Sequence, residues 1–182
     1  MQSFVLSLTL FRILAAPFVF ISAIFISNYW LAFWLFNLAA LTDYFDGKLA
    51  RKYYVESKLG AILDPIGDKL LVLFSIITVI VFTKDIYVAL MGAFILAREF
   101  WVSALREYSS ANNITNVTKV TFVAKTKTTF QFIALSMFFL GAAADLALIS
   151  FLANFALLIA VFLAFKSAID YNQNTLDSRG PK

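Results

Sequence analysis

Six long apolar segments fill most of this chain, at about Val5–Ile26, Trp30–Ala50, Ala61–Phe82, Ile86–Leu105, Val123–Ala144 and Leu146–Ile169. Each is near the ~20 residues that a helix needs to cross a hydrocarbon core. The connections around Asn28, around Lys84-Asp85 and around Asp145 are very short, so they predict antiparallel helix hairpins. With 62% hydrophobic and 14% charged residues, the chain is more apolar than an ordinary soluble domain. It reads as an all-α integral membrane protein of six transmembrane helices. No internal repeat or linker divides residues 1–182, which are expected to form one domain with a short polar tail from about residue 170.

The chain has neither Cys nor His. Disulfides, thiolate or imidazole metal sites and imidazole acid–base catalysis are therefore excluded. Chemistry must come from carboxylates, Lys and Arg, hydroxyls, or a metal held by oxygen. The formal charge of +4 could suggest nucleic acid, but in so apolar a chain it sets topology or meets anionic lipid, and no nucleic-acid partner is expected. Val5–Ile26 runs too long for a signal-peptide core and carries Arg12, so it reads as a retained helix. Of the fifteen Lys and Arg, only Lys84 lies at the short connections. The positive-inside rule then places both termini on the cytoplasmic side of a cell inner membrane.

Within the segments, the uninterrupted apolar runs fall short. Trp30–Leu41, Leu70–Phe82 and Ile86–Ala97 each give about 18–20 Å of helix, against a hydrocarbon core of roughly 30 Å. The charged remainder is the cytoplasmic end in all three. Such helices are expected to enclose a polar, wetted cavity in the inner leaflet rather than expose charge to lipid.

Four carboxylates stand in that layer, within Asp43-Tyr44-Phe45-Asp46-Gly47-Lys48-Leu49-Ala50-Arg51 and Gly60-Ala61-Ile62-Leu63-Asp64-Pro65-Ile66-Gly67-Asp68. On a helix, Asp43, Asp46, Gly47 and Ala50 share one face, and Gly60, Asp64 and Asp68 share a face of the next. Like charges brought together repel or neutralise one another unless cations sit among them. Hard divalent cations, Mg²⁺ or Mn²⁺, suit all-oxygen ligands, and two would balance four carboxylates. Such ions usually also coordinate phosphates, which predicts a phosphate or pyrophosphate ligand. Pro65 lacks a backbone donor, so the third helix either starts with Asp64 as its N-cap or is distorted there. A divalent-cation channel or carrier remains an alternative, although it leaves Arg51 and the Gly/Ala positions unexplained.

The string resembles the signature of the CDP-alcohol phosphatidyltransferases, D-x-x-D-G-x-x-A-R-x(8)-G-x-x-x-D-x-x-x-D. Asp43, Asp46, Gly47, Ala50, Arg51, Gly60, Asp64 and Asp68 fill every specified position. The resemblance implies a six-helix fold, usually homodimeric, with a divalent-metal site on the cytoplasmic side and CDP-diacylglycerol as donor. It also implies that Asp43, Asp46, Asp64 and Asp68 ligate metal, and that Asp68 is in addition the general base. By the same resemblance Gly47, Ala50 and Gly60 make the floor for the CDP moiety, with Arg51 near its phosphates.

Residues 97–107 and 125–131, with Leu8-Thr9-Leu10-Phe11-Arg12, resemble the members whose acceptor is sn-glycerol 3-phosphate. Arg98, Arg106, Lys125 and Lys127 would then meet its dianionic phosphate, Arg by forked contacts and Lys as a point charge. The bland reading is that these four anchor helix ends at anionic headgroups. Thr9 and Arg12 are candidates to reach the nucleotide or its phosphates; equally, Arg12 could snorkel to the membrane surface. Ser3 and Val5 stand where family members often carry Asn and Pro, which puts one nucleotide contact in doubt. Glu99 and Glu107 each adjoin an Arg and are read as ion-pair partners rather than catalytic acids. Other acceptors open to the same fold are phosphatidylglycerol, inositol phosphate and serine. A neutral acceptor has less need of the basic cluster.

Overall fold

A computed structural model describes residues 2–53, 58–112 and 122–177, with side chains at 6–42, 59–60, 62–112 and 126–173. They form six helices: α1 (Gln2–Ile24), α2 (Tyr29–Tyr53), α3 (Lys58–Thr83), α4 (Ile86–Ala111), α5 (Phe122–Ala144) and α6 (Ala147–Asp177). Five contain a stretch long and apolar enough to cross a membrane. In α2 the apolar part among the described residues is shorter, Tyr29–Thr42. The chain is thus a multi-pass membrane protein. The polar tail expected from about residue 170 is still helical as far as Asp177, and buried Tyr171 ties it to the bundle.

The short connections turn sharply by backbone conformation and capping. Ser27, Lys84 and Asp145 adopt φ of 56°, 53° and 53°, the left-handed region that ends helices. Leu146 N–H then closes onto the Gly141 carbonyl at 3.0 Å. Asn28 Oδ1 accepts from Leu31 N–H at 3.0 Å and Asp85 Oδ1 from Tyr87 N–H at 2.8 Å, so each satisfies an orphan donor at the start of the next helix.

Packing makes a ring: α1 lies against α2 and α3, α3 against α4, α4 against α6, α6 against α5, and α5 against α2. Small residues let the helices approach, among them Ala15, Ala16 and Ala23 on α1 and Ala153, Ala160 and Ala164 on α6, all buried. Gly92 of α4 sits so close to α3 that a Cβ there would lie 2.6 Å from Ile76 Cγ2. Large apolar side chains such as Phe18, Trp34, Leu148 and Phe162 point outward, as they should where the surroundings are hydrocarbon.

Candidate active site

A polar layer crosses the bundle toward the helix ends remote from the short hairpins. Arg12 lies about 18 Å of helix from the end of α1 and Lys127 about 26 Å from the end of α5. Both therefore fall inside or at the edge of a core roughly 30 Å thick. Charges there must be paired or face a polar cavity, and the structure pairs them in two groups.

The first group joins α1 to α3. Thr9 and Arg12 occupy successive turns of α1 and are both fully buried. Thr9 Oγ1 donates to Asp64 Oδ1 at 2.5 Å, and the Arg12 guanidinium donates through Nη1 to Asp68 Oδ1. Because the partners advance together along both helices, α1 and α3 run parallel. Gly67, between the two Asp, lies against the Arg12 stem: a Cβ there would be 3.7 Å from Arg12 Cδ. Asp68 keeps 45% of its side chain exposed, so the ion pair orients the carboxylate without enclosing it. Arg12 does not snorkel: it has no exposed surface and pairs with Asp68.

Helix α3 starts at Lys58, six residues before Asp64, and runs through Pro65 without a break. The N-cap reading of Asp64 is thereby overturned. The ring nitrogen of Pro65 instead leaves the carbonyl one turn earlier without its helical donor, at the level of the carboxylates. Gly60 is buried on the preceding turn.

Asp43, Asp46, Gly47, Ala50 and Arg51 all belong to the continuous helix α2. The one-face spacing of Asp43, Asp46, Gly47 and Ala50 therefore holds. Their side chains lie outside those described, as does that of Lys125 in the first turn of α5. Among the described residues no three acidic side chains converge. Asp64 and Asp68, the two described members of the array, are each contacted from α1 through Oδ1. Oxygen donors alone, anchored by a hydroxyl and a guanidinium, fit a hard divalent cation.

The second group joins α4, α5 and α6. Glu99 accepts from Lys127 Nζ and lies 3.6 Å from Arg98 Nη1. Arg98 also donates to Ser167 Oγ at 2.6 Å and to the Ala164 carbonyl at 3.3 Å. Arg106 donates to Tyr171 Oη at 2.6 Å, with its guanidinium carbon 5.1 Å from the Tyr171 ring centre. Arg106 is within electrostatic reach of both Arg98 and Lys127. Three cations and one anion leave a formal +2. Arg98, Arg106 and Lys127 are thus brought together in one cluster around Glu99 and Tyr171.

Glu99 has a larger part than a neighbour's counter-ion, since its closest partner is Lys127, on another helix. Ser167 and Tyr171 were not legible as site residues. The signal available was their i, i+4 spacing at the polar end of α6, beside Lys166 and Asp170.

Residues 6–166 match the family model of the CDP-alcohol phosphatidyltransferases. A protein of Cereibacter sphaeroides is 43% identical over 138 residues, 74% of this chain and 62% of its own length. One of Escherichia coli is 38% identical over 132 residues, 71% of this chain and 72% of its own. Both are named CDP-diacylglycerol–glycerol-3-phosphate 3-phosphatidyltransferase. The match thus spans a little under two thirds of the first relative and nearly three quarters of the second. Fold, aspartate signature and family match agree, and the chain belongs to the CDP-alcohol phosphatidyltransferase family.

Proposed function

We propose that the protein transfers the phosphatidyl group of CDP-diacylglycerol to sn-glycerol 3-phosphate, giving phosphatidylglycerophosphate and CMP. The observation that carries this reading is the division of charge across the polar layer: carboxylates on α3, and a net +2 cluster on α4, α5 and α6. A formal +2 complements a dianionic phosphate, whereas a cation path would not be lined by a buried Arg and a buried Lys. The names of the relatives support the same donor and acceptor.

In this mechanism the acceptor phosphate sits against Arg98, Arg106, Lys125 and Lys127, with Ser167 and Tyr171 fixing the two guanidiniums. The acceptor's primary hydroxyl then meets the exposed part of Asp68. Asp68 takes the hydroxyl proton, the freed oxygen forms a bond to the phosphorus nearest the diacylglycerol, and the bond from that phosphorus to CMP breaks. Arg12 keeps the Asp68 carboxylate in one orientation. Gly47, Ala50 and Gly60 leave room for the CDP moiety, with Thr9 and Arg51 beside it. Asp43, Asp46, Asp64 and Asp68 would hold one or two Mg²⁺ or Mn²⁺ ions, which when bound neutralise the pyrophosphate.

The working form we envisage is a homodimer in the inner membrane, each chain a single domain of six spans with both termini cytoplasmic. The polar layer then faces the cytoplasm, where a soluble phosphate enters, while the lipid donor arrives from the side. Asp68→Asn tests the base: turnover should fall by about a thousandfold or more while CDP-diacylglycerol still binds. Substantial residual turnover would remove Asp68 from that role.

A further inference from the structure

Gln131 of α5 is 1% exposed, yet among the described residues neither its Oε1 nor its Nε2 has a hydrogen-bond partner. A carboxamide offers two donors and an accepting oxygen, and buried polar groups in native proteins are very rarely left unmet. Asn37, on the neighbouring α2, shows the ordinary solution: its Nδ2 donates to the Phe33 carbonyl at 2.8 Å and its Oδ1 accepts from Ser136 Oγ at 3.0 Å. Gln131 has no such arrangement. Its flanking residues are aromatic, Phe130 and Phe132, both packed on the core.

Its position relates it to the site. Gln131 follows Lys127 by four residues, so the two share a face of α5, about 6 Å apart along the axis. Lys127 belongs to the +2 cluster through Glu99. Gln131 is therefore the next polar residue after Lys127 on that face of α5, toward the middle of the membrane. Helix α3, which carries Asp68, also packs on α5. Its buried Ser75 Oγ, two turns beyond Asp68, likewise has no partner among the described residues.

On the reading of glycerol 3-phosphate as acceptor, the cluster accounts for the phosphate and Asp68 for the reacting hydroxyl. The secondary hydroxyl has no assigned partner, and it must leave water together with the other two groups. A hydroxyl both donates and accepts, which is what an unpaired carboxamide can answer at once. We propose that Gln131 is a specificity-determining residue that binds the secondary hydroxyl of the acceptor.

The test compares glycerol 3-phosphate with 3-hydroxypropyl phosphate, which lacks only that hydroxyl, in the wild type and in Gln131→Met, a substitution that keeps volume. The wild type should prefer glycerol 3-phosphate by about tenfold or more in kcat/KM, the effect of hydrogen bonds left unmade in a dry site. In Gln131→Met the preference should fall to within about threefold of parity. A wild type without preference would overturn the assignment. So would a variant that slows both acceptors equally, since a glutamine serving only packing or a core water does not distinguish them. Should Met prevent folding, as judged by size exclusion and CDP-diacylglycerol binding, Gln131→Asn is compared in the same way. Absence of CMP release from the wild type with either phosphate would instead overturn the glycerol 3-phosphate reading on which this one rests.

Discussion

Replacing Arg12 with Met separates two roles that a buried arginine beside a phosphate site can play. Arg12 has no exposed surface and donates to Asp68, whose side chain is 45% exposed. Removing one partner of a fully buried ion pair costs about 3–5 kcal/mol. Here the carboxylate left behind can hydrate, so the loss of stability should be nearer about 1–2 kcal/mol, and the variant should fold. The kinetic effect is different. A hydrogen bond to a charged group contributes about 1.5–3 kcal/mol, and if it serves to aim Asp68, kcat should fall by about 10- to 150-fold. CMP release is measured in detergent or nanodiscs with donor, acceptor and metal saturating, for Arg12→Met, Asp68→Asn and the double variant. If Arg12 acts through Asp68, adding Arg12→Met to Asp68→Asn should cost less than about twofold more. A penalty as large in the double variant as in the single would refute the reasoning, because Arg12 would then be acting on the substrate phosphates directly.

Two further outcomes follow from contacts elsewhere in the bundle. Tyr171→Phe removes the hydroxyl that accepts from Arg106 but keeps the ring beneath the guanidinium. It should raise KM for glycerol 3-phosphate by about tenfold and leave KM for CDP-diacylglycerol unchanged; an equal rise in both would dissociate Arg106 from the acceptor. Gly92→Ala places a Cβ 2.6 Å from Ile76 Cγ2, an overpacking that should destabilise by about 1–3 kcal/mol. Thermal melting in detergent should then fall by about 2–4 °C for each kcal/mol, and an unchanged midpoint would show that α3 and α4 have room to move apart.

Much of the architecture is legible because the membrane leaves few alternatives. Near-spanning apolar runs gave the six helices, and Asn28, Lys84-Asp85 and Asp145 marked the sharp turns that the structure closes with left-handed residues and side-chain caps. The polar layer was also foreseeable, since apolar runs of about 18–20 Å cannot finish the crossing alone. Pairings between distant helices were not. Arg12 could be assigned to a surface or to a phosphate from its position, but its pairing with Asp68, 56 residues away, was not legible. Glu99 beside Arg98 looks like a local pair until α5 brings Lys127 to it. Ser167 and Tyr171 are ordinary residues near the polar end of α6 and acquire meaning only from Arg98 and Arg106. Pro65 allowed an N-cap at Asp64, which the helix beginning at Lys58 rules out.

The most direct test of the central claim is an acceptor panel with the purified wild-type protein, CDP-diacylglycerol and Mg²⁺ or Mn²⁺. CMP release is measured with glycerol 3-phosphate, phosphatidylglycerol, inositol phosphate and serine in parallel. The charge cluster on α4, α5 and α6 predicts background with phosphatidylglycerol and serine, which carry no phosphate monoester. The relatives' names favour glycerol 3-phosphate over inositol phosphate, so release is expected with glycerol 3-phosphate and background with the other three. Release confined to any of those three would contradict the account.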